Sequence, residues 1–157
     1  MVKILVDGDR HLVKVDPSMM IRGWYGGQWV RYTGSRIVDF ATSTEYAGFL
    51  MYGYKKQDLD AAPYDFNDTV AGAQFVPMKY ENKAIDAFGR TAIIADSGEF
   101  EFNKYAYDTT QNYTYNQLLY VNNNSVLTNV NAGGPSVGLV IVTPQDNNNW
   151  LGMMLKY

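Results

Sequence analysis

The stretch from Gln117 to the end constrains this chain more than any other. Short apolar segments (Leu118–Val121, Ser125–Val130, Ser136–Val142, Trp150–Leu155) alternate with Asn122-Asn-Asn, Asn131-Ala-Gly-Gly-Pro and Asn147-Asn-Asn clusters. Apolar runs of four to seven residues are too short for independent helices, and Asn, Gly and Pro punctuate them as turns. The spacing therefore predicts an antiparallel meander that closes into a small barrel or sandwich. No segment sustains a 3.6-residue period, so little helix is expected. The fold class is all-β, a compact antiparallel barrel or sandwich.

Upstream, Val2–Val6 and His11–Val15 read as strands around an Asp7-Gly8-Asp9 turn, forming an N-terminal hairpin or an extended arm. Pro17 closes this unit. Trp24 and Trp29 flank Gly26-Gly27, which predicts a turn or bulge between strands. Arg36–Phe40 is a further short strand. Thr42-Ser-Thr-Glu45 has the spacing of a capping box. Gly48, Gly53 and the dense aromatics after it argue for a buried strand over Tyr46–Tyr52 instead. Arg90–Ala95 and Glu99–Asn103 read as a hairpin around Asp96-Ser97-Gly98, with Gly98 supplying a positive φ. Alternation over Glu99–Phe102 sends Phe100 and Phe102 to the core and Glu99 and Glu101 to water. One domain over residues 1–157 is expected, with residues 1–35 either part of it or an attached arm or hairpin.

Composition narrows function. With no cysteine, disulfides, thiolate zinc sites and cysteine nucleophiles are excluded. The net charge of −3, with no basic run beyond Lys55-Lys56, argues against a phosphate-binding surface, and so against nucleic acid. No stretch approaches the ~20 apolar residues of a membrane span, and Asp7 interrupts the N-terminus too early for a secretory leader. Synthesis in the cytosol is expected, and no membrane partner. Charged residues are 18% of the chain, below the ~25% usual for soluble domains, while thirteen tyrosines are present. A surface low in charge and rich in Tyr and Asn suits lasting contact with other protein.

Each candidate chemical group has a plain structural explanation. His11 is the single histidine and no Gly-x-Ser-x-Gly elbow accompanies it. Glu99 and Glu101, about 6.5 Å apart on one strand face, lie near the lower end of the inverting-glycosidase separation. An exposed strand face, however, lacks the burial that raises a carboxyl pKa for acid catalysis. Asp58, Asp60, Asp65, Asn67 and Asp68 are candidate ligands for a hard cation over residues 58–68. Ala62 and Pro63 break the EF-hand pattern there, and a solvated acidic loop is the alternative. The Asn-x-Ser/Thr triplets at Asn67, Asn112 and Asn123 read as chance in an Asn-rich chain. No catalytic residue, cofactor or metal is assigned. Trp24, Tyr25 and Trp29 form either a sugar-stacking platform, an interface anchor or core packing beside a bulge. Tyr105, Tyr107, Tyr113 and Tyr115, spaced by two within each pair, join them as interface candidates, as do Val2, Ile4 and Val6, which could extend a partner's sheet edge.

Taken together, Leu118-Leu-Tyr-Val, Leu127-Thr-Asn-Val-Asn, Gly133-Gly-Pro, Val137-Gly and Trp150-Leu-Gly, preceded by Ala95-Asp-Ser-Gly-Glu-Phe-Glu101, resemble the capsid decoration (cement) proteins of tailed bacteriophages. The resemblance covers Phe75 to Tyr157, and the N-terminal half matches no decoration pattern. It implies a structural virion protein without enzymatic activity. It also implies many copies on the outer surface of an expanded head, bound to the major capsid protein, often as trimers. A carbohydrate- or receptor-binding module of a tail or fibre is the alternative, motivated by the Trp, Tyr and Asn content.

Overall fold

Two segments that read as strand–turn–strand hairpins run instead as bent strands passing from one sheet into another. The computed structural model describes residues 1–54 and 91–155, apart from the side chains of Met20 and Ile21. In chain order it contains β1 (Val2–Val6), β2 (Arg10–Val15), α1 (Pro17–Arg22), β3 (Trp29–Gly34), β4 (Ile37–Phe40) and β5 (Gly48–Leu50). Then follow β6 (Thr91–Ala95), β7 (Glu99–Phe102), β8 (Leu118–Val121), β9 (Leu127–Thr128), β10 (Gly138–Val142), a 3-10 turn (Pro144–Asp146) and β11 (Leu151–Leu155). The all-β expectation holds: a six-stranded sheet in the order β1-β7-β11-β10-β8-β9 packs against a closed barrel, β2-β4-β3-β5-β6. Pairing is antiparallel except between β2 and β4, which are parallel.

The predicted hairpins are corrected by the pairing. β1 pairs with β7, Ile4 opposite Phe100, while β2 pairs with β6, His11 opposite Ile94. The β1–β2 and β6–β7 segments thus lie side by side along their whole length and turn the same corner together. Strands that switch sheets in this way make the corners of packed β-layers. The Asp-Gly and Ser-Gly signals mark that corner. Gly98 has the expected positive φ, 114°, and a Cβ built on it would lie 2.6 Å from the Val6 carbonyl oxygen. Ser97 Oγ accepts from the Asp9 amide at 2.6 Å, tying the two bends together. β1 is thus built into the six-stranded sheet, and β2 and β3 into the barrel.

The one α-helix described was not anticipated, although its start is written in Asp16-Pro17. The Asp16 carboxylate accepts from the Ser18 amide at 2.9 Å, and Pro17 takes the first helical position. Further on, Thr42 Oγ1 does accept from the Glu45 amide (3.1 Å), but the chain then enters β5, as the aromatic run predicted.

Two cores follow from alternation in the shared wall. Val30, Leu50 and Ile94 point into the barrel with Val13, Val15, Met19 and Val38. Their neighbours Trp29, Phe49 and Ala95 point the other way, against Phe100, Phe102, Leu119, Val140, Leu151 and Met153 of the six-stranded sheet. β5, with the Trp29–Val30 end of β3 and the Ile94–Ala95 end of β6, is thus covered on both faces, which explains the unbroken apolar run through Phe49-Leu50-Met51. Phe49 is the pivot: its ring meets Phe100 and Phe102 edge-on, both at 4.9 Å between centroids. The Asn clusters serve the turns by adopting left-handed backbone at Asn116, Asn148 and Asn149. The acidic stretch 58–68, with its candidate cation ligands, lies outside the described residues.

Candidate interaction site

Burial divides the aromatic candidates into two groups. Trp24 and Trp29 are 5% and 2% exposed, and Tyr107 and Tyr113 6% and 3%. These four are core residues, Trp24 lining one cavity and Tyr107 another from within. Trp24 Nε1 donates to the Tyr52 carbonyl at 2.9 Å. Tyr107 OH donates to the Asn149 carbonyl (2.9 Å) and Tyr113 OH to the Asp108 carbonyl (2.8 Å). Burial, with Asp108 and Tyr107 nearby, pushes the Tyr113 hydroxyl well above its ordinary pKa of 10.0. Val2 is half-buried, packed against the larger core.

Ile4, Val6, Tyr25, Tyr105 and Tyr115 are exposed. Tyr25 and Tyr105 come from opposite halves of the sequence and stack with centroids 5.2 Å apart and planes 14° from parallel, with Lys104 Nζ 5.4 Å from the Tyr105 ring. Tyr115 stands apart from them, its hydroxyl donating to Asp146 Oδ2 at 2.9 Å. The Thr143 hydroxyl, then that of Tyr115, hold the Asp146 carboxyl below its usual range.

Ile4 and Val6 sit on β1, an end strand of the six-stranded sheet whose second edge has no strand partner among the described residues. Register places Val6 beside Glu99, Glu99 beside Met154, Met154 beside Leu139, and Leu139 beside Leu118. One row of side chains therefore crosses the outer face of five strands, and it is apolar at every position but Glu99. Val6, Met154 and Leu118 are 52%, 38% and 40% exposed. The next row, Lys3–Glu101–Gly152–Val142, is polar at its β1–β7 end: Lys3 meets Glu101 at 3.1 Å and lies 3.8 Å from the Trp150 ring centroid, while Asn147 Nδ2 donates to Glu101 at 2.9 Å. An outward sheet face normally alternates to polar residues. Sequence reading missed Leu118, Leu139 and Met154, yet the signal is present. Leu118-Leu-Tyr-Val, Gly138-Leu-Val-Ile-Val and Leu151-Gly-Met-Met-Leu lack the polar alternation that Glu99-Phe-Glu-Phe shows.

His11 Nε2 pairs with Asp96 Oδ2 at 2.9 Å on the exposed side of the corner. The neighbouring Ser97 hydroxyl is engaged by the Asp9 amide. Among the described residues no group of three or more His, Asp or Glu side chains is placed to hold a metal ion, and no helix is long and apolar enough to cross a membrane. No family model matches the chain, and no curated protein matches it.

Proposed function

We propose that this chain is a capsid decoration protein of a tailed bacteriophage, a structural protein that binds the outer surface of the expanded head and cements it. The observation that carries the reading is the row Val6–Glu99–Met154–Leu139–Leu118, apolar but for Glu99 and exposed at Val6, Met154 and Leu118, which runs across the outer sheet face to the edge strand β1. Such a row is costly to leave in water and is suited to lie on a protein surface. The C-terminal resemblance to decoration proteins supports the same reading, since β8, β10 and β11 carry both the motif and the row. The exposed Tyr25–Tyr105 pair offers a second aromatic contact of the type enriched in interfaces. In this proposal the partner is the major capsid protein, the chain acts as a homo-oligomer, a trimer by the resemblance, and its place is the virion surface. Cementing then follows from linkage: a protein that binds only the expanded lattice stabilises that state by mass action.

The test adds purified protein to expanded heads lacking it and follows their melting. A rise in head melting temperature is expected, saturating with protein. No rise at saturating protein contradicts the proposal.

A further inference from the structure

On the side of the molecule that carries the 3-10 turn, a polar groove of about 390 Å³ opens between the Lys104–Asn112 loop and the Pro144–Asn149 segment. Its volume is within the about 300–1,000 Å³ of small-molecule sites. Its lining is unusual for a surface dent. Gln111, Asn112, Gln145 and Asn149, four residues with side-chain amides, line it, and Lys104 is the single charged residue of the lining. The amides of Asn112, Gln145 and Asn149 form no hydrogen bond to other described residues, so their donors and acceptors are open to a ligand.

Both walls are held in place from behind. Tyr107, buried beneath the groove, donates its hydroxyl to the Asn149 carbonyl at 2.9 Å, joining one wall to the other. The Asn149 backbone N–H donates to the Pro144 carbonyl (2.9 Å), and consecutive left-handed residues, Asn148 and Asn149 (φ 50° and 63°), set the rim. Opposite, the Asp108 amide donates to the Leu127 carbonyl (2.7 Å) and Asn129 Nδ2 to the Asn112 carbonyl (2.6 Å). Walls fixed before binding reduce the ordering cost of taking up a ligand.

We infer that this groove is a binding site for a neutral saccharide. A side-chain amide presents an NH2 donor group and a carbonyl acceptor side by side, the complement of a vicinal pair of hydroxyls. Several amides around one concavity therefore suit a polyol. A nucleic acid or other polyanion would need more cations than Lys104, and an apolar ligand would strand the amides. Lys104, at one end of the lining, lies with its Nζ 5.4 Å from the ring of Tyr105, which stacks on Tyr25 outside the groove. No residue lining the groove belongs to the apolar row.

The experiment is a glycan array with the purified chain, followed by saturation-transfer NMR using methyl glucoside, methyl galactoside, methyl mannoside and N-acetylglucosamine. Binding of at least one neutral glycan is expected, with Kd raised tenfold or more in Asn112→Ala and in Gln145→Ala. Both residues are exposed, so their melting curves should match the parent. Asn124→Ala, outside the groove, should bind as the parent does. Absence of neutral-glycan binding at millimolar concentration overturns the inference. So does binding that survives both groove substitutions, or binding restricted to acidic glycans and lost in Lys104→Ala.

Discussion

Replacing Gly98 with alanine tests the shared corner, and Gly133 is its internal control. Both glycines have φ values forbidden to most side chains, 114° and 103°. At Gly133 a new Cβ meets nothing closer than Thr44 Cγ2 at 3.8 Å, an ordinary contact. At Gly98 it lies 2.6 Å from the Val6 carbonyl oxygen and 2.9 Å from Phe100 Cε2, so backbone must move. The φ strain costs on the order of 1–3 kcal/mol at either site, offset by about 0.4–1 kcal/mol from a stiffer unfolded chain. Gly133→Ala should therefore lose about 1–2 kcal/mol. Gly98→Ala adds overpacking of about 1–3 kcal/mol, for a total of about 2–5. For a chain of this size each kcal/mol moves the melting temperature by roughly 2–4 °C, so a difference of about 1–3 kcal/mol should separate the two variants by roughly 2–12 °C. Thermal and urea unfolding of the three proteins measure this. Equal losses in the two variants would refute the claim that β1–β2 and β6–β7 crowd each other at a common corner.

Phe100→Ala, which empties the space beside Phe49, should cost about 3–5 kcal/mol by urea unfolding. Glu101→Gln, by contrast, should cost less than about 1 kcal/mol, because its partner Lys3 is half-exposed. Tyr113→Phe removes a made hydrogen bond and should lose about 0.5–1.5 kcal/mol, whereas Tyr46→Phe removes a buried hydroxyl with no described partner and should be neutral or stabilising. Because folding raises the Tyr113 pKa, the folded state keeps its proton where the unfolded chain loses it. That stability is complete below pH 10 and is lost as pH rises above it; Tyr113→Phe should therefore flatten the alkaline decline in melting temperature. Asp16→Ala removes the cap of α1 and should cost about 0.5–2 kcal/mol at neutral pH, seen as a lower urea midpoint.

Much of the architecture is legible in the chain because β-structure writes its faces at a period of two. Phe100 and Phe102 are buried where Glu99 and Glu101 are not, and the Asn and Gly clusters fall at turns. Partners are less legible. A Gly-containing turn reports that the backbone must bend with positive φ, but not whether the bend folds a strand onto itself or carries it into a second sheet. Gly98 is the example: its φ was foreseen and its role in a corner was not. Tryptophan presented the same ambiguity, since Trp24 and Trp29 have the composition of a binding platform and the burial of core residues. The outer apolar row was hidden for a different reason. Its members lie on separate strands, and only the register of β7, β11, β10 and β8 lines them up. The groove is likewise lined from two separated segments, Lys104–Asn112 and Pro144–Asn149, with Tyr107 bonded across from one to the other.

The most direct test of the account is the copy number of this chain in purified virions, measured by quantitative mass spectrometry against the major capsid protein. A ratio near one-to-one is predicted, since only the shell lattice offers so many equivalent sites. A few copies per particle would contradict shell decoration and place the chain at a tail or vertex.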